Sequence, residues 1–182
     1  MTAEYLDVVI IGAGLSGIGA AYHLGQQCPG KRYALLESRE AMGGTWDLFR
    51  YPGIRSDSDM YTLGYNFKPW SDPQAIADGP AIRRYIEATA REHGIDQHIR
   101  YQHKVLKAQW CSASATWTLE VQCGAESAPR LINCQYLMMC TGYYRYEAGY
   151  TPELKGCEQC QGEVIHPQLW PEQLDCRDKN IV

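Results

Sequence analysis

Apolar positions along this 182-residue chain follow two different periods, and the change between them divides the chain into its elements. Val8, Val9, Ile10 and Ile11 make a continuous apolar run, the mark of a central strand covered on both faces. Helical spacing takes over from Leu15 to Gln27, and Tyr33-Ala34-Leu35-Leu36-Glu37 is again a strand. Residues 38–57 follow neither period. Residues 57–69 read as a short helix or turn opened by the capping candidates Ser58 and Asp59, and residues 72–80 as a loop. Residues 81–93 predict an amphipathic helix. Ile82, Tyr85, Ile86, Thr89 and Ala90 share one face, the charged Arg83, Arg84, Glu87 and Arg91 form a solvated one, and Gly94 is the stop.

Between residues 99 and 133 the period is two. Residues 104–110 and 116–122 alternate on either side of a small polar turn, which predicts an antiparallel β-meander. Residues 136–142 are another buried strand, returning to the parallel sheet and ending in Gly142. The fold class expected is therefore α/β: a Rossmann-like domain with a parallel sheet, helices and a meander insertion. After Gly142 the chain is rich in Tyr, Gly and Pro and reads as a linker, with a turn at 171–174. Lys179-Asn180-Ile181-Val182 reads as the opening of a new strand, so the chain is expected to be truncated.

Composition narrows this picture. Hydrophobic residues at 45% and charged residues at 21% are those of an ordinary globular protein. A net charge of −4 gives no reason to expect nucleic acid or an anionic membrane surface. No apolar run is long enough to span a bilayer, and the first strand begins too early to leave room for a secretory signal. A cytoplasmic location is the expectation. The eight cysteines should then be mostly reduced thiols. Cys157-Glu158-Gln159-Cys160 has redox or zinc spacing but lacks a second pair and does not open a helix after a strand, and it is read as incidental.

The chemistry-bearing stretch is Gly12-Ala13-Gly14-Leu15-Ser16-Gly17, set between a strand and a helix. Gly12 permits the sharp turn, Gly14 lets backbone approach a pyrophosphate, and Gly17 lets the helix pack close to the strand. A pyrophosphate there meets the free N–H groups and the positive end of the helix. Glu37, 20 residues after Gly17, ends the next strand with a carboxylate able to accept from both hydroxyls of an adenosine ribose. These features together predict a dinucleotide-binding chain. A glycine turn in some other α/β domain, with Glu37 a solvated strand end, is the bland alternative.

Downstream, Gly43-Gly44-Thr45-Trp46-Asp47-Leu48 and Arg50-Tyr51-Pro52-Gly53-Ile54-Arg55-Ser56-Asp57 form an aperiodic segment dense in Gly, Pro, Arg and aromatic residues. Paired glycines admit a planar ligand, Thr45 offers a hydroxyl and Trp46 a flat apolar wall; a well-packed surface loop is the plainer reading.

Together with Gly162-x-x-x-His166-x-x-x-Trp170-Pro171, these segments resemble the class B flavoprotein monooxygenases. The resemblance is nearest to the Baeyer–Villiger branch and, within it, to the ethionamide-activating enzymes. Cys160 stands where that linker signature usually has Phe. The resemblance implies FAD at the first glycine motif and NADPH in a later domain. It implies oxygenation of a ketone or sulfur compound by O2 through a C4a-peroxyflavin. Gly12, Gly14, Ser16 and Gly17 would hold the pyrophosphate region and Glu37 the ribose. Thr45, Trp46, Asp47 and Leu48 would lie along the flavin, Val105 would offer its backbone to the adenine side, and Arg55, Ser56 and Asp57 would lie near flavin and nicotinamide. Asp57 matches a catalytic-site carboxylate that orients an arginine outside this chain. Residues 1–145 would form the FAD-binding domain, 146–178 a linker, and 179–182 the start of an NADP domain. A nitrogen- or sulfur-oxidising flavin monooxygenase, a non-catalytic FAD-binding fragment and an NAD dehydrogenase are the competing readings. The substrate and oligomeric state stay open.

Overall fold

A computed structural model describes residues 3–171 and 173–181. Its centre is β1 (Glu4–Ile11), parallel to β2 (Tyr33–Leu36) on one side and to β6 (Arg130–Met139) on the other. Between β1 and β2 runs α1 (Leu15–Gln27), the helix expected from the spacing. Beyond β2 lies β3 (Ile99–Arg100), also parallel. β6 then pairs antiparallel with β5 (Thr116–Cys123), and β5 with β4 (His103–Cys111). The result is one six-stranded mixed sheet in the order β3-β2-β1-β6-β5-β4.

Two apolar clusters cover the parallel strands. Val8, Ile10 and Leu35 pack with Ile18 and Ala21 of α1 and with Ile82, Ile86 and Ala90 of α4 (Gly79–Glu92). Val9, Ala34 and Leu36 alternate to the other face and meet Leu119, Val121, Ile132 and Cys134 of the meander. This explains the continuous apolar run in β1, since helices lie on one side and the meander on the other.

Three differences from the periodicity reading have physical causes. The strand expected at 136–142 and the end of the meander are a single ten-residue strand, β6, with no Gly or Pro to divide it. Cys140 N–H extends its pairing by one bond, donating to Ile11 O at 2.9 Å. β3 has only two residues, too few to display a period. α4 starts at Gly79, earlier than expected, because the Asp78 carboxylate accepts from Ala81 N–H at 2.6 Å and Pro80 occupies the first turn, where a missing N–H costs nothing. Of the two capping candidates before α3 (Met60–Leu63), Asp59 is the cap, accepting from Thr62 N–H at 2.9 Å.

Gly17 is required by close packing, since a Cβ there would lie 2.0 Å from Gly12 O. The start of α1 is also held from a distance. Tyr65 Oη donates to Leu15 O at 2.6 Å, while Tyr85 Oη reaches Tyr65 N at 2.8 Å and links this point to α4. After β6 the described chain has only two short 3₁₀ turns, at Cys157–Gln159 and Pro167–Leu169. Leu174 N–H donates to Pro171 O at 3.2 Å, closing the turn read at 171–174, although Glu172 lies outside the described residues. The strand read at 179–182 includes Val182, also outside them, and residues 179–181 are in no regular element. No helix among the described residues is long and apolar enough to cross a membrane, and all eight cysteines are free thiols.

Two stability outcomes follow. Ile86 is fully buried between α4 and the sheet, so Ile86→Ala costs about 2 to 5 kcal/mol, whereas Asp78→Ala, losing only a cap, costs about 1 kcal/mol; urea unfolding midpoints rank the two. Arg100 grips the Glu4 carboxylate through both oxygens, at 2.6 and 2.7 Å, and this hydrogen bonding lowers the Glu4 pKa. A lowered carboxylate pKa stabilises above the unfolded value, and the contribution disappears as pH falls through the folded one. Glu4→Gln is therefore expected to weaken the fold by less than about 1 kcal/mol at neutral pH, because the pair is partly exposed, with wild type and variant converging in acid. Unfolding curves across pH check this.

Candidate functional site

The turn after β1 is built so that backbone forms its surface. Gly12 has φ +102°, and a Cβ there would meet Cys140 O at 2.4 Å. Its N–H donates to Leu36 O at 2.8 Å, fixing the turn to β2. Gly14 is the N-cap of α1, where no side chain caps the helix and no acidic residue stands in the first turn. The first-turn N–H groups are thus left to an external acceptor at the positive end of a helix.

A second glycine pair closes against the first. Gly43 (φ +116°) donates its N–H to Ala13 O at 3.0 Å, and a Cβ on Gly44 (φ +56°) would sit 3.1 Å from Gly14 Cα. Gly44 then caps α2 (Thr45–Leu48), a single turn that carries Thr45 and Trp46.

Two buried carboxylates hold these loops. Glu37 is only 4% exposed, with Oε2 accepting from Ala13 N–H at 2.9 Å and Oε1 from Arg39 N–H at 3.0 Å. Ser38 Oγ also donates to Oε1, at 3.4 Å, so the acceptor capacity left for the cleft is the second lone-pair site of Oε2. Asp47 is 2% exposed and receives three guanidinium groups: Arg39 at 2.7 Å, Arg83 at 3.1 Å and Arg50 at 3.2 Å. Glu87 joins through Arg83 at 2.8 Å, a hydrogen bond that raises the Arg83 pKa further. Arg83 and Glu87, expected on a solvated face, therefore tie α4 to α2.

A cleft of about 440 Å³ collects Gly12, Gly14, Ser16, Glu37, Thr45, Trp46 and Val105. A second cavity of about 710 Å³ adjoins it, sharing Thr45, Trp46 and Tyr144, and is lined by Arg55, Ser56 and Asp57. Of the residues singled out from sequence, Gly17 lies behind the turn, and Asp47 and Leu48 line neither space. Asp57 and Arg55 are exposed at the second cavity, with no ion pair among the described residues.

Periodicity missed several participants. Tyr146 lines the cleft with its hydroxyl over Gly44; burial raises its pKa, a hydrogen bond with Thr45 opposes that, and Arg39 lies over its ring at 5.8 Å. Gln168, 8% exposed, donates from Nε2 to Arg145 O and Tyr146 O, both at 2.9 Å, and so straps the linker to the cleft rim. His166 accepts from Gln168 N–H through Nδ1 at 3.1 Å, its ring filling the space a Cβ on Gly149 would need, and is an orienting residue here. His166 was signalled by the Gly162–Pro171 segment; Arg39 and Gln168 gave no signal.

Residues 10–74 match the model of an NAD(P)-binding Rossmann-like domain. The FAD-containing monooxygenase EthA of Mycobacterium tuberculosis is 58% identical over 180 residues, covering 98% of this chain and 36% of EthA. The putative FAD-containing monooxygenase MymA of the same organism is 52% identical over 179 residues, with the same coverage. The crystal structure of the OTEMO complex with FAD and NADP superimposes with a TM-score of 0.75 at 30% identity, over 93% of this chain and 31% of that one. The chain thus spans about a third of the length of the relatives it matches. It has a Rossmann-like α/β fold and, over 98% of its length, is similar to about a third of the FAD-containing monooxygenases EthA and MymA.

Proposed function

We propose that this chain is the FAD-binding part of an NADPH- and O2-dependent monooxygenase of Baeyer–Villiger type, acting on a ketone or a sulfur compound. The observation that carries the reading is the cleft itself: an uncapped helix start, a carboxylate at the end of β2 and the Gly43–Gly44–Thr45–Trp46 segment all face one space. The fit to FAD rests on Gly12, Gly14 and Gly44 lining the cleft with backbone, the three packed closely enough against Cys140 O and each other that the turn and the loop form one wall.

In this reading the first-turn N–H groups of α1 bind the pyrophosphate, Glu37 accepts from the adenosine ribose, and Val105 borders the adenine. Thr45 and Trp46 orient the isoalloxazine ring. Asp47 acts from behind, holding α2 through its three arginines, and Leu48 completes that turn. Bound flavin supplies the capacity to take hydride from NADPH and to activate O2. Arg55, Ser56 and Asp57 border the adjoining cavity, where nicotinamide and substrate would lie, and Asp57 orients a guanidinium supplied from outside the chain. A buried guanidinium needs such a partner to hold its geometry. Residues 1–145 form the flavin domain, 146–178 the linker, and 179–182 the approach to an NADP domain.

The full-length polypeptide is expected to purify yellow with FAD and to convert ketones to esters; sulfoxidation of thioethers without ester formation would shift the assignment to a heteroatom-oxidising enzyme, and a colourless protein that takes up no flavin would remove it. Glu37→Gln is expected to weaken FAD binding about tenfold or more, since a charge-assisted hydrogen bond of about 1.5 to 3 kcal/mol is lost. Asp47→Ala removes the buried carboxylate shared by three partly exposed arginines and is expected to cost about 1.5 to 3 kcal/mol of stability. Flavin fluorescence titration and thermal unfolding separate the two effects.

A further inference from the structure

The Cys157-Glu158-Gln159-Cys160 pair, set aside as incidental in the sequence, is placed by the fold on one tight turn, where the Cys160 thiol rests on Gly162 O at 3.7 Å and is freed by a side-chain rotation. Gly156 takes φ +88° and starts the 3₁₀ turn Cys157–Gln159. Three successive short-range bonds wind this segment: Cys157 N–H to Leu154 O at 3.2 Å, Gln159 N–H to Gly156 O at 3.0 Å, and Cys160 N–H to Cys157 O at 3.1 Å. In such a turn, side chains three apart eclipse one another, and a rise of about 2.0 Å per residue puts their Cα atoms about 6 Å apart. Disulfides span Cα separations of about 4.4 to 6.8 Å. Both thiols are free and exposed.

We propose that Cys157 and Cys160 form a reversible intrachain disulfide, a redox-modification site on the segment that follows the dinucleotide cleft. The oxidant is a low-molecular-weight disulfide of the glutathione class. One cysteine thiolate attacks a sulfur of that disulfide, forming a mixed disulfide and releasing one small thiolate. The second cysteine thiolate then attacks the protein sulfur of the mixed disulfide and releases the other. In sum, two protein thiols lose two protons and two electrons, one S–S bond forms, and the small disulfide is reduced to two thiols. The turn is already closed in the dithiol state, so little backbone movement separates the two forms. Buried Cys123 and Cys134 are inaccessible to this chemistry, and Cys140 is raised in pKa by burial. Cys176, half-buried on the same stretch of chain, is the natural competitor.

The test equilibrates the full-length protein over a series of reduced-to-oxidised glutathione ratios, quenches in acid, alkylates the remaining thiols and weighs the peptide containing Cys157 and Cys160. As the ratio falls, the doubly alkylated peptide is expected to give way to an unlabelled one, two hydrogens lighter than the free dithiol peptide. Cys176→Ser is expected to leave this conversion intact, while Cys157→Ser and Cys160→Ser each leave a single glutathione adduct on the surviving cysteine. The proposal is overturned if wild type carries glutathione on both residues, if both stay open to alkylation at the most oxidising ratio, or if the crosslink requires Cys176. The wild-type measurement depends on no substitution.

Discussion

The site depends on one buried carboxylate bridging two stretches of backbone. Glu37 sits at the end of β2, yet its oxygens bind the N–H groups of Ala13, in the glycine turn, and Arg39, at the start of the next loop. A buried charge survives only where hydrogen bonds replace water, and backbone amides supply them here. The same bridge fixes the distance between the turn before α1 and the loop that leads to α2. Gly14 and Gly44 can then approach closely enough that a methyl group between them would be crowded.

Asp47 extends this logic outward. Its carboxylate gathers Arg39 from the loop after β2, Arg50 from the chain after α2, and Arg83 from α4. Residues far apart in sequence are drawn behind one short helical turn, and that turn presents Thr45 and Trp46 to the cleft. Gln168 performs a comparable task on the opposite rim, holding two carbonyls of the segment that carries Tyr146. The cleft is thus a backbone surface, kept in shape by polar side chains that stand mostly behind it.

This arrangement explains which parts were legible in the sequence. The strand–turn–helix unit, α1 and the buried face of α4 were readable because local period and glycine placement determine them. The two-residue β3 was not, because it exists only through pairing with β2. β6 was split in the reading because β5 covers only Arg130–Cys134 while β1 pairs on to Met139. Among the site residues, Gly12, Gly14, Ser16, Glu37, Thr45, Trp46 and Val105 line one cleft. The surroundings of Asp47 were not legible: it gathers arginines, and no local pattern announces partners such as Arg83, which is 36 residues away. Arg39, Tyr146 and Gln168 likewise act through contacts that only the folded chain creates.

The most direct test of this account is an experimental structure of the full-length protein with FAD. Phosphate oxygens are expected within hydrogen-bonding distance of the first-turn N–H groups of α1, with the adenosine ribose on Glu37 and the ring system against Thr45 and Trp46. A dinucleotide seated elsewhere, or one that leaves the Gly14–Gly44 surface bare, would contradict it.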